Sequence, residues 1–266
     1  MTRMNFRTTK WCFASRRIDP TLASGLDRDV ASAMPGDMIL GRVVSIGNHR
    51  RIQLPTGRPS TLYPGDLVAL PCGARYAPDQ FEGLAEIDPS GCDMLAGGGC
   101  LGRVIHRNER IKPPTCVQPL GRILDRDGRV LNTADFALPT RILRDDMTVI
   151  CVLGTSMNSG KTTATAALAH GLTAAGWRVA ALKGTGTGAF GDYNDYCDAG
   201  AGYVGDFTDA GMATTYLEPL PRIVSGIDAL LAEAETRGCN IAVMELADGI
   251  FQRETAALLA DPTVRR

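Results

Sequence analysis

Thr148-Val-Ile-Cys-Val-Leu153 leads without a break into Gly154-Thr155-Ser156-Met157-Asn158-Ser159-Gly160-Lys161-Thr162-Thr163, and that segment leads straight into Ala164–Ala175. The first part is a continuous apolar run, which predicts a strand buried on both faces, with Cys151 as a small buried hydrophobe inside it. Thr162–Ala175 is rich in helix formers and stops at Gly176, a natural residue to follow a helix C-terminus. Between them, a glycine-bearing loop ends in Gly-Lys-Thr. Strand, loop and helix in this order form the setting of a phosphate-binding P-loop. Free N–H groups at the helix start, together with the helix dipole, attract phosphate oxygens. Gly154, Thr155, Asn158, Ser159, Gly160, Lys161, Thr162 and Thr163 are the expected phosphate-binding residues. Gly160 lets the backbone approach closely, Lys161 reaches the β/γ-phosphates, and Thr162 offers its hydroxyl to Mg²⁺. The expected cofactors are therefore ATP or GTP with Mg²⁺.

Strand and helix signals continue to alternate toward the C-terminus. Arg178–Leu182, Tyr203–Phe207 and Asn240–Leu246 read as strands, and Pro221–Arg237, closed by Gly238, and Arg253–Leu259 read as helices. That alternation implies a parallel sheet with right-handed crossovers. Ligands of such sheets gather at the carboxyl ends of the strands. Lys183 falls at one such end. Glu245 sits in an apolar strand where an unpaired carboxylate would be costly, so a metal ion or Lys161 is its expected partner. Asp248 competes with it from the following turn. Asp206, with Asp209 beside it, is a further candidate ligand for Mg²⁺. Asp192, Asp195 and Asp198 recur every third residue and would share one face of a helix. A solvated acidic face and a second metal or cationic-substrate site both stay open for them.

The form Gly154-Thr155-x-x-x-x-Gly160-Lys161-Thr162, followed by a strand ending in Lys183, resembles one branch of P-loop proteins. That branch includes dethiobiotin synthetase, the cobyrinic acid amide synthases and the B protein of molybdopterin-guanine dinucleotide biosynthesis. The resemblance implies that Lys183 contacts a phosphate or an anionic substrate and that Glu245 helps to bind Mg²⁺. It covers about Met147–Ala260, and no counterpart of a diaminopelargonic acid site is found. Ser156 stands where dimerising ATPases of the same class carry a signature lysine, so sandwich dimerisation of that kind is not expected. Five residues separate Gly154 from Gly160, against four in the usual spacing, which puts Thr155 in the first-glycine position. The motifs Lys183-Gly-Thr-Gly-Thr-Gly188 and Glu245-Leu-Ala-Asp-Gly-Ile-Phe-Gln-Arg-Glu-Thr255 also resemble a bacterial P-loop family with a β-rich N-terminal region. This second resemblance implies the architecture without implying a reaction. In the first branch, further strands follow the one bearing the acidic residue and supply the base-binding loop. Here the sheet is expected to be small, or the chain truncated, or a second copy or protein partner completes the site.

The first half has a different character. Residues 1–30 read as an irregular lead-in, with a short helix expected around Thr21–Ala33. Met38–Ile46, Arg51–Leu54, Leu67–Leu70, Gly102–His106 and Gly121–Leu124 are short β-like runs separated by turn residues. Pro35-Gly-Asp37 and Pro64-Gly-Asp66 each lead into a strand, with Pro presetting φ and Gly supplying its positive value. The expected architecture is a small β-rich barrel or sandwich over residues 31–138, then an α/β P-loop domain over 139–266, with the boundary near Leu138–Asp146.

Bulk composition excludes several functions. The net charge is −1, which gives no reason to expect a nucleic acid or a membrane surface as partner. Residues 1–146 carry 20 basic against 16 acidic side chains, and the remainder 8 against 13; that asymmetry supports two differently built regions. No apolar run approaches the roughly 18 residues of a membrane span, and no signal-peptide core precedes the first strand. The eight cysteines form no C-x-x-C pair and the three histidines are scattered, so no zinc site is expected. Reduced thiols in a cytoplasmic protein are the natural reading. Two functions fit: an ATP-dependent, ligase-like or phosphoryl-transferring enzyme acting on a small anionic substrate, in which Lys161 and Lys183 carry the chemistry, or a nucleotide-binding accessory protein in cofactor or metallocentre assembly.

Overall fold

The computed structural model describes residues 6–141 and 147–262. The chain divides into two compact units. Met1–Ala137, Thr187–Ala189 and Gly211–Thr214 form one; Leu138–Gly186, Phe190–Ala210 and Thr215–Arg266 form the other. Of the expected boundary Leu138–Asp146, residues 142–146 lie outside the described residues.

The first unit is built from β1 (Lys10–Trp11), β2 (Gly25–Asp27), β3 (Met38–Ser45), β4 (Arg51–Gln53), β5 (Pro59–Thr61), β6 (Leu67–Pro71), β7 (Arg75–Tyr76), β8 (Phe81–Leu84), β9 (Cys92–Met94), β10 (Leu101–Arg107) and β11 (Thr115–Leu124). They form one sheet in the order β1-β6-β3-β11-β9-β10-β8-β7, with β2 pairing on β11 and β4–β5 as a separate hairpin. The long sheet curls until Cys72, just past β6, bridges Leu101 on β10. Gly73 N–H donates to Leu101 O at 3.0 Å there. Gly102 makes this closure feasible: a Cβ on it would lie 2.2 Å from Leu84 O and 2.8 Å from Gly73 O.

The first half of β3, residues 38–41, is buried on both faces. Ile39 and Val43 enter one apolar core with Leu70, Leu101 and Val117. Met38 and Leu40 enter another with Trp11, Ile18 and Ile123. Val117 and Ile123 of β11 have the same parity yet serve different cores. The register against β3 shifts between Pro119 and Gly121, and one extra residue turns every following side chain to the opposite face. The bulge also accommodates Pro119, which has no ladder N–H to give.

Residues 1–30, expected as a lead-in, contribute more than that from Phe6 onward: β1 pairs with β6 and β2 with β11. The helix expected around Thr21–Ala33 is replaced by β2 between two short 3₁₀ turns, Pro20–Leu22 and Val30–Ser32. Leu22 and Leu26 are half-buried against the second core, so tertiary packing overrides local helix preference.

The second unit contains β12 (Thr148–Val152), α1 (Lys161–Ala174), β13 (Val179–Lys183), α2 (Phe190–Asp198), β14 (Tyr203–Asp206), α3 (Leu220–Thr236), β15 (Ile241–Glu245) and α4 (Arg253–Ala260). All four strands are parallel, in the order β12-β15-β13-β14. Gly176 (φ 90°) closes α1, with Trp177 N–H donating back to Leu172 O. Val179, Ala181, Ile241 and Val243 pack with Ala169 of α1 and Tyr196 of α2.

β12 is an edge strand, and one of its faces is also open, which corrects the expectation of burial on both faces. Ile150 and Val152 lean on the core, whereas Val149 is 40% exposed and Cys151 is exposed as well. Its continuous apolar sequence resembles that of an interior strand, yet among the described residues β15 is its one neighbour. All eight cysteines are free thiols. No helix among the described residues is long and apolar enough to cross a membrane.

Two outcomes follow for the first unit. Gly102→Ala is expected to lower stability by about 1–3 kcal/mol, because the added methyl meets backbone carbonyls that cannot rotate away; urea unfolding measures it. His49 lies 5.6 Å from Phe81, ring to ring. Burial, reinforced by the Arg75 charge, lowers its pKa from 6.5 to about 4. Between those values the unfolded chain binds a proton that the native state refuses, so stability falls as pH drops from 6.5 toward 4. Over that interval the wild type is expected to lose about 2 kcal/mol more than His49→Asn, read from urea midpoints at the two ends.

Candidate functional site

The carboxyl ends of β12, β13 and β15 bring a small set of polar side chains together. The loop after β12 turns through Asn158 (φ 60°) and Gly160 (φ 89°). Gly160 is the N-cap of α1, and no side chain caps that end. The first N–H groups of the helix, on Lys161, Thr162 and Thr163, precede the ladder that starts with Ala164 N–H donating to Gly160 O. They have no intrahelical acceptor and face an anion-attracting dipole. Gly154 packs against the loop's far side, where a Cβ would stand 2.1 Å from Ser159 Oγ. Ile250 N–H donates to Gly154 O at 3.0 Å and ties the turn after β15 to the loop.

Lys161 is 7% exposed, and its Nζ donates to Ser156 O at 2.8 Å. Burial pushes its pKa below the ordinary lysine value; the charges of Glu245 and Asp248 draw it part of the way back, and Lys183 adds to the lowering. An ammonium held against its own loop by one backbone carbonyl is suited to exchange that carbonyl for a phosphate oxygen.

Next to it, Thr162 Oγ1 stands 3.0 Å from Glu245 Oε2 and 3.1 Å from Asp192 Oδ1. Its one proton can serve either carboxylate. Glu245, 2% exposed, also accepts from Tyr196 OH at 2.5 Å. Burial and the neighbouring carboxylate push the Tyr196 phenol well above its ordinary pKa, so it remains a donor. Lys183 Nζ donates to Asp192 Oδ2 and lies 3.7 Å from Glu245 Oε1.

The structure thus brings Lys161, Thr162, Lys183 and Glu245 into one cluster. Asp206 pairs with Lys183 in the β13–β14 register, and its Oδ1 accepts from Thr208 N–H at 2.7 Å and from Thr208 Oγ1 at 2.5 Å, closing the turn after β14. Asp192 is the aspartate beside the Thr162 hydroxyl. Asp195 and Asp198 are exposed, so the solvated reading holds for them and not for Asp192. Asp192 is one of the three aspartates the acidic spacing singles out; the signal that would have found Tyr196 is its i, i+4 spacing from Asp192 on α2, which puts both on the face toward β15.

Among the described residues, no group of three His, Cys, Asp or Glu side chains is placed to hold a metal by itself. A hydroxyl and two carboxylates nevertheless make an all-oxygen donor set. Such a set suits Mg²⁺, which prefers one or two carboxylates, waters and the phosphates of a nucleotide.

No protein-family model and no curated protein matches the chain. Among solved structures, it is similar to the 54 kDa protein of the signal recognition particle from Aeropyrum pernix K1, in complex with GDP. The identity is 20% and the TM-score 0.32, over 44% of this chain and 25% of that one. A likeness of that extent carries no argument about this chain's fold or ligand.

Tyr196→Phe removes a donor from a buried carboxylate. It is expected to lower the stability of the second unit by about 1–3 kcal/mol, measured by urea unfolding against wild type.

Proposed function

We propose that the second unit binds a nucleoside triphosphate with Mg²⁺ and hydrolyses it or transfers its terminal phosphoryl group. The observation that carries this reading is the uncapped N-terminus of α1, with Lys161 and Thr162 in its first turn and the Glu245 carboxylate against the Thr162 hydroxyl. In this reading the loop Gly154–Gly160 and the free amides of Lys161, Thr162 and Thr163 cradle the phosphates. Lys161 leaves Ser156 O for the β/γ-phosphates, where its charge is preorganised for the transferring group. Thr162, Glu245 and Asp192 would hold Mg²⁺, and Asp206 serves its own turn. When bound, the metal would neutralise charge on the phosphates and orient them. Tyr196 holds Glu245 in place. Lys183, at the neighbouring strand end, receives a small anionic acceptor, and that placement supports a ligase-like or phosphoryl-transfer reading. ATP and GTP both fit this phosphate site.

A second reading, an accessory protein acting on a partner, draws on a different observation. β12 leaves one edge of its sheet without a strand neighbour among the described residues, with Val149 and Cys151 exposed on it. An open apolar edge is a surface on which another chain can pair. Phosphate release that rises with small anions supports the enzyme, and release that rises solely with a protein partner supports the accessory role.

Isothermal titration with ATP·Mg²⁺, and with GTP·Mg²⁺ in parallel, is expected to give saturable heat. Lys161→Ala should weaken binding roughly 10–100-fold, the range for a charge-assisted hydrogen bond. Absence of any Lys161-dependent heat with either nucleotide would contradict the reading.

A further inference from the structure

We infer that Lys183 is a built-in substitute for the divalent cation: ammonium and metal exclude one another between Asp192 and Glu245, so that metal binding releases Lys183. This rests on the nucleotide-site reading above and adds an order of events to it.

The two carboxylates divide their oxygens between the same two partners. Asp192 turns Oδ1 to Thr162 and Oδ2 to Lys183. Glu245 turns Oε2 to Thr162 and Tyr196, and Oε1 toward Lys183 at 3.7 Å. Each carboxylate thus presents one oxygen to the hydroxyl and the other to the same ammonium. Their side chains are 25% and 3% exposed, and that of Lys183 is 13% exposed. Two carboxylates in so little water need a shared cation, and Lys183 supplies it.

The charges then decide what a metal ion does. With Lys183 in place the cluster of Asp192, Glu245 and Lys183 carries a formal charge of −1. A divalent ion added to it would put three positive charges against two negative ones at close range. With the ammonium displaced, the same ion neutralises both carboxylates. Unit charges a few Å apart at a part-buried site interact by several kcal/mol, so the displaced arrangement is the favourable one. Lys183 is the last residue of β13, at the strand end where a nucleotide and its acceptor would meet. Once released, its ammonium is available to an anion there. Before metal binding it is engaged, which makes acceptor capture follow metal·nucleotide binding.

Mn²⁺ binding to the full chain, followed by electron paramagnetic resonance without nucleotide, tests the exclusion directly. Lys183→Met keeps the length of the side chain and removes its charge; it is expected to bind Mn²⁺ at least tenfold more tightly than wild type. Lys183→Arg keeps the charge and should stay near wild type, which separates charge exclusion from a change in packing. Equal or weaker Mn²⁺ binding by Lys183→Met, with its circular dichroism unchanged, would overturn the inference. If Lys183→Met fails to fold, Lys183→Gln is measured on the same scale with the same two outcomes. Titration of each protein with a fluorescent ATP analogue in the presence of Mg²⁺ reads nucleotide binding separately. Failure there counts against the nucleotide reading and leaves the metal result standing.

Discussion

Removing a carboxylate from water costs several kcal/mol unless hydrogen bonds and a counter-charge replace its hydration, and Glu245, at the end of β15, is 2% exposed. The elements around it supply that replacement. Thr162 comes from the first turn of α1, Tyr196 from α2 and Lys183 from the end of β13. β15 itself is central, paired with β12 on one side and β13 on the other. Satisfying one buried charge therefore fixes the placement of α1's N-terminus against the sheet, and it fixes α2 as well. The loop before α1 is anchored by the turn after β15, through Ile250 N–H to Gly154 O.

Much of this was legible in the chain. The strand–loop–helix order around Gly154–Thr163 placed α1 to within a residue, since Gly160 and Gly176 mark its two ends by conformations that other residues resist. Lys183 and Glu245 were recognisable because a charged residue ending an apolar strand must meet something. Asp192 stood among three aspartates whose spacing left a solvated face and a metal site both open, and Tyr196, an uncharged residue in a polar stretch, carried no signal of its own. β12 was misread for a different reason. An apolar run reports β preference, and whether packing covers both of its faces is a tertiary matter that periodicity does not encode.

In the first unit the misreadings share one cause: pairings distant in sequence. β11 extends from Thr115 to Leu124, although the short run Gly121–Leu124 alone had a β signal, because β3, β9 and β2 all pair along it. The bulge at Pro119–Gly121 then shares its side chains between two cores. The residues around Thr21–Ala33 prefer a helix locally, and they yield to an edge that needs a strand.

The central claim is that the N-terminal turn of α1 is a phosphate site. A crystal structure of the protein with a non-hydrolysable ATP analogue and Mg²⁺ tests it most directly. Phosphate oxygens are expected within hydrogen-bond distance of the backbone N–H groups of Lys161, Thr162 and Thr163, with Lys161 Nζ moved from Ser156 O onto the phosphates. A nucleotide bound elsewhere, or a saturated crystal in which Lys161 keeps its bond to Ser156 O and those amides meet water alone, would contradict it.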